Sequence, residues 1–155
     1  MKLSDLIGKK ISKIRFNYQY ENKHGIQEFQ SQIRLSNKQV VLIPNYPDLK
    51  YDLIEHHANN KSSSFLKAKR CGLTSRLLFK NKEILDIHFR YHDNKPMVDS
   101  SAIFELENGK FITENNFGPQ GLGDIDLIIL NKSQFQDLAY DDIEIRSLKN
   151  DILKS

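Results

Sequence analysis

The residue types that could bind a metal ion or transfer protons are most concentrated between positions 86 and 92. Asp86, His88, Arg90 and His92 alternate with apolar residues, which is the pattern of one face of a β strand. On a strand, His88 and His92 lie ~13 Å apart, which is too far for both to bind one metal ion. The spacing therefore predicts a solvent-facing polar row, and we expect neither a metal ion nor another cofactor.

The other motifs that could support catalysis lack the neighbours which that chemistry needs. His56 and His57 adjoin on a predicted helix, so their side chains point in different directions. The glycine-rich segment 118–123 leads into an acidic strand, whereas a phosphate-binding loop opens a helix with a Lys-Ser/Thr pair. Cys71 follows two basic residues that would favour its thiolate, but the sequence identifies no general base for it. We therefore expect no catalytic residues and no enzymatic activity.

Charge is distributed unevenly along the chain, although its net value is only +3. Residues 1–80 contain 15 Lys and Arg against 6 Asp and Glu, a balance of +9, and residues 81–155 contain 8 against 14, a balance of −6. The acidic half could dock on a basic protein surface, where carboxylates speed association and fix orientation. The carboxylates predicted to form this contact are Asp124, Asp126, Asp141, Asp142 and Glu144.

The basic half offers a second possible surface, which could follow a nucleic-acid backbone. Its aromatic residues have the inward parity of their strands, however, so they are not available to stack on bases. Nucleic acid is therefore the less favoured partner. The basic residues concerned are Lys9, Lys10, Lys13, Arg15, Lys61, Lys67, Lys69, Arg70, Arg76 and Lys80.

One strand-and-hairpin pattern occurs twice in the chain. Residues 11–18 match residues 84–91, with Ile, Ile, Phe and Tyr at the same four places and an offset of 73. Residues 33–41 match residues 104–112 with an offset of 71, so the intervening hairpin is two residues shorter in the second copy. We interpret the match as a duplicated supersecondary unit.

Each copy, at about residues 4–45 and 77–115, is predicted as a three-stranded antiparallel meander, because apolar and polar residues alternate with the period of a strand. A short helical turn precedes each meander and ends at Gly8 or Asn81, which are residue types that accept a positive φ. The predicted fold class is therefore α+β, mainly antiparallel β sheet built from two similar three-stranded meander units with short helices.

The composition is that of a folded domain. Of the 155 residues, 39% are hydrophobic and 28% are charged, which is enough for one core and excludes general disorder. We predict a single domain over residues 1–155, in which the stretch 59–64 is linker-like. No apolar run approaches the ~20 residues that cross a bilayer, and the N-terminus lacks a signal-peptide core, so a cytoplasmic protein without membrane contact is expected. With Cys71 as its one cysteine, the chain has no internal disulfide.

Three segments resemble a family of bacterial inhibitors. They are Leu6-Ile7-Gly8-Lys9-Lys10-Ile11-x-x-Ile14, Ile33-x-Leu35-x-Asn37-x-x-Val40 and the segment from Gly121 to Leu130. In these segments the chain is similar to the small cytoplasmic immunity proteins that accompany bacterial polymorphic toxins, including those of contact-dependent inhibition and type VI secretion systems. The resemblance implies a protein that binds a cognate toxin domain stoichiometrically and blocks its active site or an adjacent surface. A nucleic-acid-binding module and a small ligand-binding protein are the alternatives, and the oligomeric state is open.

Overall fold

Two antiparallel β sheets and several short helices form the part of the chain that the computed structural model describes. The α+β class and the predominance of antiparallel sheet predicted from the sequence are confirmed. Among the described helices, none is long and apolar enough to span a membrane. The predicted linker at 59–64 lies outside the described residues, which are 2–21, 26–43, 55–56, 69–97, 100–115 and 126–154.

The first sheet has five strands in the order β4-β3-β2-β1-β5. A 3-10 helix (Leu3–Leu6) precedes this sheet, and helix α1 (Leu73–Phe79) follows it. The helix predicted around His56 is wrong at that residue, because His56 pairs with Val40 as part of a short edge strand. The strands are β1 (Ile11–Glu21), β2 (Ile26–Leu35), β3 (Val40–Leu42), β4 (Glu55–His56) and β5 (Lys69–Arg70).

The second sheet has the order β10-β9-β8-β6-β11, and the short strand β7 forms a hairpin with the end of β6. Helix α2 (Lys132–Gln136) follows β10, and helix α3 (Leu148–Lys154) follows β11. The strands are β6 (Ile84–His92), β7 (Lys95–Pro96), β8 (Ile103–Leu106), β9 (Phe111–Asn115), β10 (Asp126–Leu130) and β11 (Ile143–Ser147).

The two sheets have the same connectivity when the β7 hairpin is set aside. In each sheet the first three strands pair consecutively, the fourth strand extends the edge beyond the third, and the fifth strand returns to pair with the first. The correspondence therefore reaches beyond the two meanders, since β4 corresponds to β10 and β5 to β11. Each returning strand leads directly into a helix, α1 after β5 and α3 after β11.

The contacts where the two sheets meet are reciprocal. The N–H of Gly8 donates to the Ile84 carbonyl at 2.8 Å, and the N–H of Asn81 donates to the Ile11 carbonyl at 2.7 Å. Both pairs are related by the offset of 73. Gly8 and Asn81 have φ values of 84° and 60°, as expected of residues that end a helical turn with positive φ. These matched contacts support the duplication, which itself stays a prediction.

The second hairpin of each unit is also built in the same way. The N–H groups of Leu35 and Leu106 each donate at 2.8 Å to the carbonyl four residues further on. Lys38 and Gly109, which occupy the same place in these turns, both have a φ of 72°. The strand pairing shifts register just after Ile11 in the first unit and just after Ile84 in the second. The two hairpins therefore share turn geometry and the position of an irregularity.

One hydrophobic core is shared by both sheets. Ile33 and Leu35 of β2 are buried on the core side, and Gln32 on the opposite face is also buried, at 1% exposure, whereas Arg34 is half-buried. Phe89 of β6 is 3% exposed and belongs to the core, while the side chain of Phe16, its counterpart at the offset of 73, lies outside the described residues. The core residues include Leu3, Leu6, Ile11, Ile14, Ile33, Leu35, Val41, Phe79, Ile84, Ile87, Phe89, Phe104, Leu106, Ile112 and Leu148.

A second, smaller cluster covers the outer face of the second sheet. Ile103, Phe111 and Leu130 are buried there, and Phe135 and Leu138 pack against them. Phe135 belongs to α2, so this helix acts as a cover over strands β8 to β10. The second sheet is therefore packed on both faces, in contrast to a sheet with one solvated face.

Candidate partner-binding surface

Three basic residues lie on one face of the first sheet. The strand register places Lys13 of β1 opposite Arg34 of β2. Lys13 and Arg15 are two residues apart on β1, and directly paired residues project from the same face of a sheet, so the three positions share a face. We call them the basic face.

Helix α1 adds two more cations and closes a small pocket over this face. The pocket has a volume of about 90 Å³. Arg15 is 7% exposed and is thus the most deeply placed of its cations. Among the lining residues that the structure describes, four are basic and none is acidic, which makes the pocket suited to an anionic group. The residues of this basic pocket are Ser12, Lys13, Ile14, Arg15, Cys71, Arg76, Phe79 and Lys80.

Helix α1 also presents two leucines to solvent beside the basic pocket. Leu73 and Leu77 are 70% and 69% exposed, and their spacing of four places them on one side of the helix. The helix is held from its other side, where Phe79 is 1% exposed and the Asn108 side chain donates to the Leu78 carbonyl at 2.8 Å. A helix of a monomeric protein normally turns its apolar stripe inward, so this outward pair indicates a contact surface.

The strand order separates the carboxylates that the sequence grouped into one acidic patch. Asp124 lies outside the described residues. Asp126 begins β10, whereas Asp141 and Asp142 lie in the turn before β11 and Glu144 lies within it. Since β10 and β11 are opposite edges of the second sheet, with three strands between them, they are roughly 19 Å apart. The structure thus brings Asp141, Asp142 and Glu144 together at one edge but leaves Asp126 at the other.

The carboxylates at the β11 edge have cationic or titratable neighbours. Glu144 accepts hydrogen bonds from Nε and Nη2 of Arg146 at 3.0 and 2.8 Å, and the Arg146 guanidinium also lies 4.3 Å from the centre of the Tyr91 ring. An Asp142 carboxylate oxygen lies 3.6 Å from His92 Nε2. These contacts reduce the negative field that this edge presents to a partner.

The predicted solvent-facing row on β6 is wrong for two of its four members. Asp86 and His88 are each 8% exposed, Arg90 is half-buried, and only His92 is exposed. Helices cover this face, since the Phe135 ring of α2 lies 5.0 Å from the His88 ring. Burial lowers the pKa of the Arg90 guanidinium, an effect opposed by the nearby Tyr140. Strand alternation identified one common face but could not show that helices pack on it.

A buried carboxylate connects the two sheets inside the core. Glu114 of β9 is 6% exposed, and its Oε1 accepts a hydrogen bond from the Ser31 N–H of β2 at 2.6 Å. Its Oε2 accepts from the Ser101 hydroxyl at 2.9 Å. Burial raises the pKa of Glu114, and the hydrogen bonds from Ser31 and Ser101 counteract part of that rise. This group ties the sheets together rather than contacting solvent.

Several residues of the candidate surface were not recognised in the sequence. Leu73 and Leu77 stand in the run Leu73 to Phe79, which contains four large apolar residues, and nothing in that run shows which of them face outward. Arg34 was absent from the predicted basic set because its place opposite Lys13 follows from the strand register. The signal that the sequence does contain is the pair of basic residues at positions 13 and 15, whose spacing of two places them on one face of a strand.

No protein-family model, curated protein or solved structure matches this chain.

Proposed function

We propose that this protein is an immunity protein, which binds a cognate bacterial toxin domain in a stoichiometric complex and neutralises it through the basic face and helix α1. The observation that supports the proposal most is the exposed pair Leu73 and Leu77 beside a cationic pocket. An apolar centre with a charged rim is the usual composition of a protein–protein interface.

The two leucines provide much of the expected binding energy. Full burial of a leucine side chain is worth about 1.5–3 kcal/mol, so each leucine, which is about 70% exposed, would contribute about 1–2 kcal/mol. Together they supply about 2–4 kcal/mol, which corresponds to about 30- to 1000-fold in Kd. Their removal should have little effect on folding, because exposed side chains contribute little to the core.

The charge of the surface defines the partner. Basic residues gathered on the first sheet and α1 favour a toxin surface that is acidic, since complementary potentials speed association and fix orientation. This replaces the acidic contact predicted from the sequence as the preferred interface. Of the carboxylates in that prediction that the structure describes, Asp126 lies at the β10 edge and the others at the β11 edge, where Glu144 is paired with Arg146.

The pocket also bears on the alternative of a small ligand-binding protein. Ligand pockets are typically about 300–1,000 Å³, whereas the basic pocket is about 90 Å³. A pocket of this size accepts one carboxylate or phosphate group rather than a whole metabolite. It is therefore better suited to anchor an acidic side chain of a protein partner.

Nucleic acid is the second candidate partner, and the gathering of Lys13, Arg15 and Arg34 on one face is the observation that favours it. Single-stranded nucleic acid is usually bound with exposed aromatic rings on which bases stack. Phe79, the one aromatic residue that lines the basic pocket, is 1% exposed and packs in the core. The leucines on α1 supply an apolar surface that a phosphate backbone does not need.

The test is a calorimetric titration against the cognate toxin domain, identified as the variable C-terminal domain of a secreted protein whose gene lies immediately upstream. A solitary gene would count against the proposal. Wild-type protein should bind with 1:1 stoichiometry, and the double variant Leu73→Ser/Leu77→Ser should bind at least 30-fold more weakly. Tyr140→Ser is the matched control, because Tyr140 is also a large exposed side chain, at 55%, but belongs to the loop before β11. Equal loss of affinity in the control and the leucine variant would place the contact surface elsewhere.

A parallel titration against labelled single-stranded RNA and duplex DNA tests whether nucleic acid, the second candidate, is the partner instead of a toxin domain. Phosphate contacts by several cations make nucleic-acid affinity fall steeply as salt rises. We expect weak or no binding at physiological ionic strength. Micromolar or tighter binding there, lost in Arg76→Ala/Lys80→Ala, would establish the nucleic-acid alternative instead.

A further inference from the structure

Three side chains with metal-binding atoms meet on the outer face of the second sheet. Strand β6 contributes Asp86 and His88, which are two residues apart on one face, and β8 contributes Glu105 directly opposite Asp86. His88 Nε2 lies 2.8 Å from Glu105 Oε2 and 4.0 Å from Asp86 Oδ2. The three ligand atoms all lie within 4.8 Å of one another. We propose that Asp86, His88 and Glu105 bind one divalent transition-metal ion, for which zinc is the appropriate probe.

The donor types and their spacing suit a tetrahedral zinc site. Zinc is bound by imidazole nitrogen and carboxylate oxygen at about 2.0–2.2 Å, so neighbouring ligand atoms lie about 3.3 Å apart. The two distances measured from His88 Nε2, at 2.8 and 4.0 Å, lie on either side of that value. Asp86, His88 and Glu105 would supply three ligands to the ion, and the fourth position would be left to water, as in zinc sites with three protein ligands.

The charge of the cluster also favours a cation. Asp86 is 8% exposed, and the Glu105 side chain is 32% exposed. Within the described chain, no lysine or arginine lies within 4.0 Å of either carboxylate, and His88 is their nearest titratable neighbour. Asp86 is held by hydrogen bonds and Glu105 by its contact with His88, and a divalent ion would compensate the charges of both carboxylates at once.

Outer contacts hold Asp86 in a fixed orientation. Its Oδ2 accepts a hydrogen bond from the Ser147 hydroxyl, and its Oδ1 accepts from the Lys149 N–H at 3.2 Å and from the Ile87 N–H at 2.8 Å. Hydrogen bonds to a ligating carboxylate are a regular feature of metal sites, because they set its direction and basicity. Ser147 and Lys149 thus link the proposed site to the start of α3.

Aromatic rings close one side of the cluster. Phe111 and Phe135 are stacked, with their centres 4.0 Å apart, and the Phe135 ring lies 5.0 Å from His88. Such an apolar wall excludes water and strengthens the attraction between a cation and its ligands. The half-exposed Glu105 leaves an approach from solvent on another side.

The first sheet shows that the fold does not require this set of residues. Lys13, Arg15 and Arg34 stand at the corresponding strand positions, since Lys13 pairs with Arg34 as Asp86 pairs with Glu105. Two sheets of the same connectivity therefore have basic residues at these places in one case and metal-binding residues in the other. The acidic and imidazole groups on the second sheet are a property of this unit rather than of its strand pairing.

The experiment is calorimetric titration of chelator-treated full-length protein with zinc chloride at pH 7.5. We expect one zinc per chain in wild type. Loss of an outer-shell contact typically lowers metal affinity about 10–100-fold, so Ser147→Ala should lie in that range and Glu105→Gln, which removes a ligand, should weaken binding at least as much. His92→Gln is the matched control, because His92 also lies near two carboxylates, Asp93 and Asp142, but is exposed. Its zinc affinity should equal that of wild type.

Histidine-ring NMR of the wild type gives a readout that does not depend on a variant folding. Of the five histidines in the chain, His88 should be the one whose ring nitrogen signals move on addition of one equivalent of zinc. Absence of zinc binding by folded wild-type protein would overturn the proposal. So would zinc binding that shifts another histidine and persists unchanged in Glu105→Gln.

Discussion

Replacement of Glu114 tests whether the carboxylate that joins the two sheets holds its proton in the folded protein. Glu114→Gln keeps the shape of the side chain, and its carbonyl oxygen can still accept the Ser31 N–H. The Ser101 hydroxyl can turn to accept from the new amide, since a hydroxyl both donates and accepts. We therefore expect the free energy of unfolding of Glu114→Gln at pH 7 to equal or exceed that of wild type.

Glu114→Ala is the matched variant that removes the hydrogen bonds. The buried Ser31 N–H loses its acceptor, which costs about 1–3 kcal/mol, and one buried methylene is lost, which costs about 0.8 kcal/mol. Glu114→Ala should therefore be about 2–4 kcal/mol less stable than wild type at pH 7. The contrast between the two variants separates the loss of the contacts from the loss of the charge.

The pH dependence follows from the raised pKa of Glu114 in the folded state. Below the ordinary glutamate pKa of 4.5, both the folded and the unfolded chain hold the proton. As pH rises, the unfolded chain loses the proton first, so stability falls until the pH passes the folded-state pKa. Urea unfolding of wild type and Glu114→Gln between pH 4.5 and pH 8 measures this pH dependence. The free energy of unfolding of Glu114→Gln should increase relative to that of wild type as the pH rises. A constant difference, or a loss in Glu114→Gln as large as in Glu114→Ala, would refute the reasoning.

Three further predictions concern the fold and its charged edge. Phe89→Ala should reduce the free energy of unfolding by about 3–5 kcal/mol in urea titrations, because Phe89 is buried in the shared core. Gly109→Ala should destabilise the protein by about 1 kcal/mol and Lys38→Gly should stabilise it by a similar amount, since both positions have a φ of 72°. Effects of the same sign in the two variants would show that the two turns differ. Asp141→Lys/Asp142→Lys should have a free energy of unfolding within about 0.5 kcal/mol of wild type and an unchanged affinity for the toxin. A slower, salt-dependent association with the toxin would instead support the acidic edge as the interface.

The alternation of residue types predicted the main strands because it is a local property of the chain. Ile14, Ile33 and Ile87 stand at buried positions of paired strands, and the same period that identified them also identified their polar neighbours. The positive φ of Gly8 and Asn81 was likewise predictable, since few residue types accept that conformation. These features require knowledge only of nearby residues.

The candidate sites depend on strand order and register, which short-range patterns do not determine. Glu105 joins His88 because β8 pairs with β6 across a register shift, whereas the spacing along β6 relates His88 only to residues of its own strand. Asp126 and Glu144 were grouped because their strands are neighbours in sequence, yet β11 returns to β6 on the far side of the sheet. Helix α3 was not predicted, although the Ser147 hydroxyl caps it locally by accepting from the Asn150 N–H at 3.2 Å. The second acceptor for its first turn is Asp86, more than 60 residues earlier, which the local sequence does not reveal.

Neutralisation itself is the most direct measurement of the proposed function. The activity of the cognate toxin domain should be measured while the protein is added in increasing molar ratio. Wild-type protein should abolish the activity at one equivalent, Tyr140→Ser should do the same, and Leu73→Ser/Leu77→Ser should need a large excess because its complex is at least 30-fold weaker. Full toxin activity in the presence of a several-fold excess of folded wild-type protein would contradict the proposal.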